Sequence, residues 1–342
     1  MQFLIYGANG YTGELIAREA ARRGLRPIVA GRSAEAIEPL ARELGFESRI
    51  FSVDAPDLRG VDVVLHCAGP FSRTSAPMVS ACLAAKAHYL DITGEIAVFE
   101  AVHARGDEAK RAGIALIPGV GFDVVPTDSV AAMLADALPG ATELALAFFA
   151  PGATVSRGTL TTMLEGIGEG GAIRRDGRIV RVPVAYDVRE IPFSCGPRTT
   201  MTVPWGDVST AFYTTGIPNI RVYTGVSPKG AKRMRRIRPL LPLLAYWPFR
   251  PILARAARRK QGPDASARTR LRTYVWGEVS DGSRRLSMTM ETPEGYAFTV
   301  LSALAAVERV ARGDIAPGAW TPSRAFGKEF VLGIEGVTLP SS

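Results

Sequence analysis

Glycines at a fixed spacing near the start of the sequence could bind a phosphate group. The apolar run Phe3–Tyr6 is followed by a GxxGxxG segment and then by a stretch of helical character. In such a turn the first glycine permits a tight bend, the second lets the backbone approach a diphosphate, and the third lets helix and strand pack closely. The N-terminus of the helix then faces the anion. We therefore predict a dinucleotide-binding loop made of Gly7, Asn9, Gly10, Tyr11, Thr12 and Gly13.

The end of the predicted second strand, Pro27–Ala30, indicates which dinucleotide binds. An NAD site usually carries Asp or Glu here, about 20 residues past the glycine loop, to accept from the ribose 2′-hydroxyl. The sequence instead reads Gly31-Arg32-Ser33. A guanidinium and a hydroxyl suit a 2′-phosphate, and no carboxylate repels it. We therefore predict NADP(H), with Asp54, at the end of the predicted third strand Arg49–Val53, as either an adenine contact or a helix cap.

Three further predicted strands end in segments that could surround a nicotinamide, and the first of these strands is Val61–Ala68. The almost uninterrupted apolar run Val61–Ala68, VDVVLHCA, is typical of a central strand buried on both faces. Ligands of open α/β sheets collect at the carboxyl ends of the strands. We therefore add to the predicted cofactor-binding residues the four that follow this run or end it, Cys67, Ala68, Gly69 and Pro70.

Three carboxylates at the next two strand ends are candidates for proton transfer. Asp91 lies near the end of the predicted strand His88–Ile92, Glu95 follows that strand, and Asp123 follows Ala115–Ile117. Each also has a structural interpretation, because an acidic side chain after a strand often caps a helix or holds a loop. The sequence leaves both roles open for all three residues.

The elements that must position these residues alternate between short apolar runs and helical stretches up to about residue 124. This rhythm predicts an α/β fold, a Rossmann doubly wound parallel sheet. Beyond about residue 140, longer β-rich segments with hairpin signals at Asp176-Gly177 and Asp281-Gly282 predict a second, mixed α+β domain. We predict an NADP(H)-binding Rossmann domain over 1–138, a substrate domain over 139–295, and a C-terminal helix and tail, 296–342, packing back on the Rossmann domain.

The net charge of +8 comes from one part of the chain. Residues 229–272 contain fourteen Lys and Arg and one acid, Asp264, a net charge of +13. Within them, 239–254 is apolar and aromatic, but it is too short and too rich in proline to span a membrane. Such a segment suits anionic lipid headgroups or an acidic carrier domain, or it is a basic lid or interdomain helix. Nucleic acid is disfavoured because no recognition motif accompanies the charge.

The cysteines and the N-terminus bear on the cellular compartment. Cys67, Cys82 and Cys195 have neither an even count nor CxxC spacing, so we expect no disulfide framework and no metal site. The start MQFLIYGANG runs directly into a strand and the glycine loop, without the regions of an export signal. We therefore expect a cytoplasmic protein, with 229–272 as a candidate for peripheral contact with the inner face of the membrane.

Several motifs resemble a known family. AGPF, ACLAAKAHYLDITGE and GFDVVPTD are similar to the NADP-binding domain of the saccharopine dehydrogenase-like proteins. Within that family the chain resembles the trans-acting enoyl reductases, also at Gly295-Tyr296, Pro317-Gly318, Thr321-Pro322 and Ala325-Phe326-Gly327. The resemblance implies an NADPH-dependent oxidoreductase of lipid biosynthesis that reduces a C=C bond in a lipid or polyketide acyl group, with an acyl carrier or synthase as partner.

Two other functions stay open. The family name also implies an amino-acid-type dehydrogenase acting on a C–N bond, whose substrate carboxylates need several convergent cations. The second domain offers Arg157, Arg189 and Arg198 without an evident clamp. The other alternative is a non-catalytic, membrane-associated protein that binds NADP(H) without turnover. We also keep a homodimer among the expected assemblies.

Overall fold

The computed structural model describes residues 1–152, 154, 156, 160, 170–240 and 262–340. These residues form two compact units. The first unit contains Met1–Val125 and Tyr296–Phe330, and the second contains Pro126–Gly295 and the chain from Val331 onward. The predicted basic segment 229–272 is described only in part, because 241–261 lies outside the described residues, as does Arg157.

A parallel sheet of seven strands forms the centre of the first unit. Its strands are β1 (Phe3–Tyr6), β2 (Ile28–Gly31), β3 (Ser48–Ile50), β4 (Val63–His66), β5 (His88–Asp91), β6 (Ala115–Ile117) and β15 (Gly318–Ala319). They lie in the order β15-β6-β5-β4-β1-β2-β3, and every neighbouring pair is parallel. Strands 3-2-1-4-5-6 in this order make the dinucleotide-binding sheet, so the predicted Rossmann fold is confirmed.

Helices cover both faces of this sheet. They are α1 (Tyr11–Arg22), α2 (Ala34–Leu44), α3 (Phe71–Ala85), α4 (Ile96–His103), α5 (Gly106–Ala112), α10 (Gly295–Ala311) and α11 (Pro322–Phe326). On one face, Ile5 belongs to a core shared with Ile16 of α1 and Leu304 of α10. On the other, Leu4 belongs to a core with Met78 of α3. Successive residues of β1 therefore serve different cores, which explains the uninterrupted apolar runs of the central strands.

Two helix boundaries in the first unit differ from the sequence prediction. The sequence pattern predicts a helix over Ser75–Lys86, but α3 begins at Phe71, because Pro70 occupies its N-cap with extended backbone angles. The helix predicted over Ala97–Ala112 is two helices. At Arg105 the backbone (φ −93°, ψ 10°) leaves the α-helical range, and α5 begins at the next residue.

The C-terminal segment is divided between the two units. The sequence predicts that 296–342 packs as a whole on the first domain. In the structure α10, β15 and α11 do belong to the first unit, where Gly318 pairs with Ala115 of β6. The chain from Val331 onward belongs to the second unit, because Thr338 and Glu291 exchange two backbone hydrogen bonds of 2.9 Å. The N-terminal segment of the first unit ends at Val125, before the predicted boundary at 138, because the helix that follows packs within the second unit.

The second unit contains a mixed sheet and four described helices. The strands are β7 (Glu143–Phe149), β8 (Gly171–Arg175), β9 (Arg178–Val182), β10 (Val188–Phe193), β11 (Gly196–Thr202), β12 (Asn219–Gly225), β13 (Arg272–Ser280) and β14 (Arg285–Pro293). The helices are α6 (Val125–Ala137), α7 (Asp207–Thr215), α8 (Pro228–Ile237) and α9 (Ala265–Arg270). Strands β7 and β12 pair in parallel, and their other described neighbours are antiparallel. The predicted α+β class of this domain is confirmed.

The two predicted hairpins are present in the second unit. Asp176-Gly177 joins β8 to β9, and both residues have positive φ, 48° and 74°. Such angles belong to the tight turn that Asp-Gly favours between antiparallel strands. Asp281-Gly282 lies between β13 and β14, and the Asp281 carboxylate accepts the backbone N–H groups of Ser283 and Arg284 there.

Candidate functional site

The glycine loop lies at the carboxyl edge of the parallel sheet, between β1 and α1. Gly7 has φ +82°, and a methyl group there would lie 2.8 Å from the backbone nitrogen of Ala68. A methyl group on Gly13 would overlap the carbonyl oxygen of Gly7. Both positions therefore require glycine, because the start of α1 and the chain after β4 come close to the same turn.

The N-terminus of α1 has the properties of an anion site. Gly10 is its N-cap residue and provides no capping side chain, while Tyr11 and Thr12, both half-buried, begin the helix. The first N–H groups of a helix lack backbone acceptors within it and carry partial positive charge. The Tyr11 ring meets the ring of Tyr296 edge to face, with centroids 5.0 Å apart. A diphosphate fits this helix N-terminus, since no capping side chain takes up its first N–H groups.

Arg32 and Ser33 lie at the end of β2, beside the glycine loop. A methyl group on Gly31 would lie 3.1 Å from Oδ1 of Asn9, which shows how close the two loops are. The exposed Arg32 side chain makes no hydrogen bond or ion pair with any described residue. Ser33 is the N-cap residue of α2, yet its hydroxyl makes no capping bond. Both groups are thus uncommitted, as a ligand phosphate would require.

The sequence predicts Asp54 at the end of a strand, as an adenine contact or a helix cap. In the structure it lies neither at the end of a strand nor at a helix cap. Strand β3 ends at Ile50, because its partner β2 ends at Gly31 and the N–H of Phe51 already bonds to the Gly31 carbonyl. Asp54 lies in the exposed turn that follows, where its carboxylate accepts the hydroxyl of Ser52 at 3.1 Å. An adenine contact stays a prediction.

The loop after β4 is held by a side chain that the sequence prediction missed. The hydroxyl of Thr74, in the first turn of α3, donates to the carbonyl oxygen of Ala68 at 2.7 Å and lies 3.2 Å from that of Pro70. Nε2 of His66 lies 2.9 Å from the same hydroxyl oxygen. Because the hydroxyl hydrogen goes to a carbonyl, His66 is the donor in this pair. A threonine within a helix gives no sequence signal of this role.

The His66 side chain belongs to the core of the first unit, as its place in a buried strand predicts. The residue is fully buried, its ring stacks on Tyr6 at 5.5 Å, and it meets Phe71 edge to face at 5.3 Å. Burial lowers the pKa of His66 to about 3, so the imidazole is neutral at physiological pH. The neighbouring Cys67 packs against the same sheet, and burial raises the pKa of its thiol, which disfavours a reactive thiolate.

Glu95 caps a helix in the structure. Its Oε1 accepts the N–H of Phe71 at 2.8 Å and its Oε2 accepts the N–H of Ser72 at 2.9 Å. Its own N–H donates to the hydroxyl of Thr93 at 3.1 Å. A carboxylate at a helix N-terminus satisfies free donors and compensates the helix dipole. The geometry therefore supports the structural interpretation of this residue.

Asp91 joins the ends of β5 and β6. Its side chain is fully buried, and Oδ1 accepts the N–H groups of Thr93 at 3.0 Å and Gly119 at 2.8 Å. Oδ2 accepts the hydroxyl of Tyr89 at 2.7 Å. Burial raises the pKa of Asp91 to about 6, although the three hydrogen bonds act in the opposite direction. Such a network positions two strand ends.

Asp123 differs from the other two carboxylates. It is half-buried, and its carboxyl group lies over Gly94, where a methyl group would come within 3.2 Å of Cγ of Asp123. Its loop is held to α10, because the N–H of Phe122 donates to the hydroxyl of Thr299 at 3.0 Å. Burial raises the pKa of Asp123 to about 7. A carboxyl group that titrates near neutral pH can both give and accept a proton.

The two described arginines proposed for substrate carboxylates have partners within the second unit. The Arg189 guanidinium lies between the rings of Tyr223 and Trp276, 4.9 and 4.8 Å from their centroids, and its Nη1 is 3.4 Å from Glu278. Arg198 donates to the backbone carbonyls of Cys195 and Pro197. Both nitrogens of Arg198 that donate are therefore engaged by the backbone, whereas Nε and Nη2 of Arg189 are buried without a hydrogen-bond partner among the described residues.

Two kinds of site are absent from the part of the chain that the structure describes. No group of three or more His, Cys, Asp and Glu residues there could hold a metal ion. No helix there is both long and apolar enough to cross a bilayer.

Residues 3–117 match the family "Saccharopine dehydrogenase NADP binding domain". The chain is 28% identical over 204 residues to a saccharopine dehydrogenase-like oxidoreductase of Rattus norvegicus, an alignment that covers 51% of this chain and 48% of that protein. It is 32% identical over 139 residues to a trans-acting enoyl reductase of Mycobacterium bovis, covering 36% of this chain and 33% of that protein. The chain thus spans half or less of the length of these relatives.

A solved structure shares the fold over the whole chain. Saccharopine dehydrogenase (L-Glu forming) from Saccharomyces cerevisiae superimposes with a TM-score of 0.66 and 12% identity, covering 99% of this chain and 98% of that one. A Rossmann-like parallel sheet and a second, mixed sheet therefore both belong to the fold of that dehydrogenase.

Proposed function

We propose that this chain, whose residues 3–117 match the saccharopine dehydrogenase NADP binding domain, is an NADP(H)-dependent oxidoreductase. The observation that carries the proposal is the pair Arg32 and Ser33, exposed or half-exposed at the end of β2 without a hydrogen bond or ion pair from their side chains. A 2′-phosphate offers charge-assisted hydrogen bonds to both.

Each part of the site would act on a different part of the cofactor. The N-terminus of α1, with Gly7, Gly10 and Gly13, would hold the diphosphate, and the loop after β4 would support the nicotinamide half. When bound, the cofactor supplies a hydride. Asp123, whose pKa burial raises to about 7, is the described carboxyl group best suited to exchange the accompanying proton.

We further propose that the substrate is an α,β-unsaturated acyl group whose C=C bond is reduced. The similarity to relatives named trans-acting enoyl reductase supports this choice. The hydrogen bonds of Arg198 support it as well, because this guanidinium group already has partners that a carboxylate-rich substrate would have to replace. An acyl carrier or synthase that presents the substrate, and a homodimer, are proposals of the same kind.

Cofactor choice is tested by replacing Arg32→Asp and measuring NADPH and NADH dissociation constants by fluorescence titration. Losing a charged hydrogen bond and adding repulsion should weaken NADPH binding about 10- to 100-fold, since such bonds contribute about 1.5–3 kcal/mol. NADH binding should change little. The control is Arg42→Asp, an exposed position in the last turn of α2. Equal losses for both cofactors would show that Arg32 does not contact a 2′-phosphate.

The reaction is tested by NADPH oxidation with enoyl thioesters of increasing chain length. Turnover that consumes the double bond would support the reductase. Turnover dependent on an amino acid or an imine would select the C–N dehydrogenase instead. NADPH binding without turnover of any of these compounds would support the non-catalytic alternative.

A further inference from the structure

One helix of the second unit presents a row of cations. In α8 the side chains of Lys229, Lys232, Arg233 and Arg236 are exposed. Their spacing of i, i+3, i+4 and i+7 places them on one side of the helix, over about 10 Å of its length at 1.5 Å per residue.

The opposite side of α8 is fixed to the unit. Ala231 is buried, and Nε of Arg235 donates to the carbonyl oxygen of Ala185 at 3.3 Å. At the N-terminus, the hydroxyl of Ser227 accepts the N–H of Gly230 at 3.0 Å, and Pro228 follows the cap. The helix is therefore anchored with its cationic side outward.

The charges on this side have no counterpart among the described residues. None of the four cations makes an ion pair or hydrogen bond there. The sequence contains no acidic residue between Asp207 and Asp264. Like charges at i and i+4 on a helix destabilise it slightly, and an external anion would relieve this repulsion.

We propose that the outward side of α8 binds the surface of an anionic phospholipid bilayer. Lysine and arginine near such a surface are attracted by its negative potential. The chain leaves α8 through the 3-10 turn Arg238–Leu240, where Leu240 is 57% exposed, so an apolar side chain lies directly after the cations. The sequence continues with leucine, tyrosine, tryptophan and phenylalanine. Apolar and aromatic residues beside basic ones favour a lipid surface over an acidic protein or a nucleic acid.

The proposal does not depend on the reaction proposed above, so it is tested separately. The protein is sedimented with vesicles of phosphatidylcholine alone and with vesicles that also contain phosphatidylglycerol. The test variant carries Lys229→Gln, Lys232→Gln, Arg233→Gln and Arg236→Gln. The matched control changes four exposed cations elsewhere, and so has the same net charge: Arg42→Gln, Lys110→Gln, Arg111→Gln and Arg312→Gln. Circular dichroism and NADPH titration report whether each variant is folded.

The wild-type chain and the matched control should sediment with anionic vesicles at about 0.05 M salt and be released at about 1 M, where the Debye length falls to about 3 Å. The α8 variant should bind at least about tenfold more weakly, because its four surface contacts are gone. Equal binding by the α8 variant and the control would overturn the proposal. Equal sedimentation of the wild-type chain with neutral and with anionic vesicles would also overturn the proposal. A wild-type chain that does not sediment with anionic vesicles would overturn it too, even if an acidic protein binds to α8.

Discussion

The carboxylate of Glu95 accepts the backbone N–H of Phe71 at 2.8 Å, and its second oxygen accepts the next N–H, that of Ser72, at 2.9 Å. A residue that follows β5 thus caps the helix that follows β4. The same loop is held from its other side by Thr74, which donates to the Ala68 carbonyl. Two neighbouring strand ends therefore jointly position the chain at which we expect the nicotinamide half of the cofactor.

Replacing Glu95→Ala should lower the free energy of unfolding by about 1–2 kcal/mol, because two N–H groups at the start of α3 lose their acceptor. Glu95→Gln should cost less, since one amide oxygen remains. Denaturant titration measures both. Glu38→Ala, an exposed residue of α2, is the control and should stay within about 0.5 kcal/mol of wild type. If Glu95→Ala is as stable as Glu38→Ala, the cap contributes nothing.

Replacing Thr74→Val should weaken NADPH binding by about fivefold, because losing one hydrogen bond of about 1 kcal/mol frees the loop after β4. Thr74→Ser keeps the hydroxyl and should restore the affinity. Binding of adenosine 2′,5′-bisphosphate, which lacks the nicotinamide half, should be unchanged in both variants. Isothermal titration with the two ligands makes the comparison. An equal loss of affinity for both ligands would indicate a general loss of structure.

Replacing Gly13→Ala should destabilise the first unit by about 1–3 kcal/mol, because the added methyl group overlaps the Gly7 carbonyl oxygen. The affinity for NADPH should also fall, because the glycine loop must open to accommodate the added methyl group. The control is Gly333→Ala, where an added Cβ has no neighbour within 4 Å. Thermal unfolding and cofactor titration test both variants. A Gly13→Ala chain with wild-type stability and affinity would contradict the close approach seen here.

Replacing Asp91→Asn should change how stability depends on pH. Burial raises the pKa of Asp91 to about 6, above the value of about 3.9 for an unfolded chain. The folded state therefore binds the proton more tightly, and this residue's contribution to stability falls as pH rises from about 4 to about 6. The decrease should be about 3 kcal/mol, at about 1.36 kcal/mol per pKa unit.

The measurement is the difference in unfolding free energy between wild type and Asp91→Asn at several pH values. Because exposed carboxylates contribute equally to both chains, the difference isolates Asp91. A difference that is constant from pH 4 to pH 7 would show that the buried carboxyl group does not titrate in this range.

Features that depend on neighbours in sequence could be predicted from the sequence. The glycine spacing, the apolar run that became β4, and the turns Asp176-Gly177 and Asp281-Gly282 all reflect local backbone requirements. Arg32 and Ser33 follow β2, and their side chains make no hydrogen bond or ion pair with a described residue. Local chemistry was enough to predict the fold class, and it favours NADP(H) as the ligand.

The roles of the polar residues at the strand ends were decided by the tertiary structure. From the sequence, Asp91, Glu95 and Asp123 are equivalent carboxylates at the ends of strands. In the structure the first bridges two strand ends, the second caps α3, and the third is half-buried with a pKa near neutrality. A carboxylate's role depends on which donors surround it and how much water reaches it, and residues distant in sequence provide both. The role of Thr74 also depends on residues distant in sequence, so the sequence did not predict it. The C-terminal segment is divided at Phe330 because the parts before and after this residue pair with different sheets.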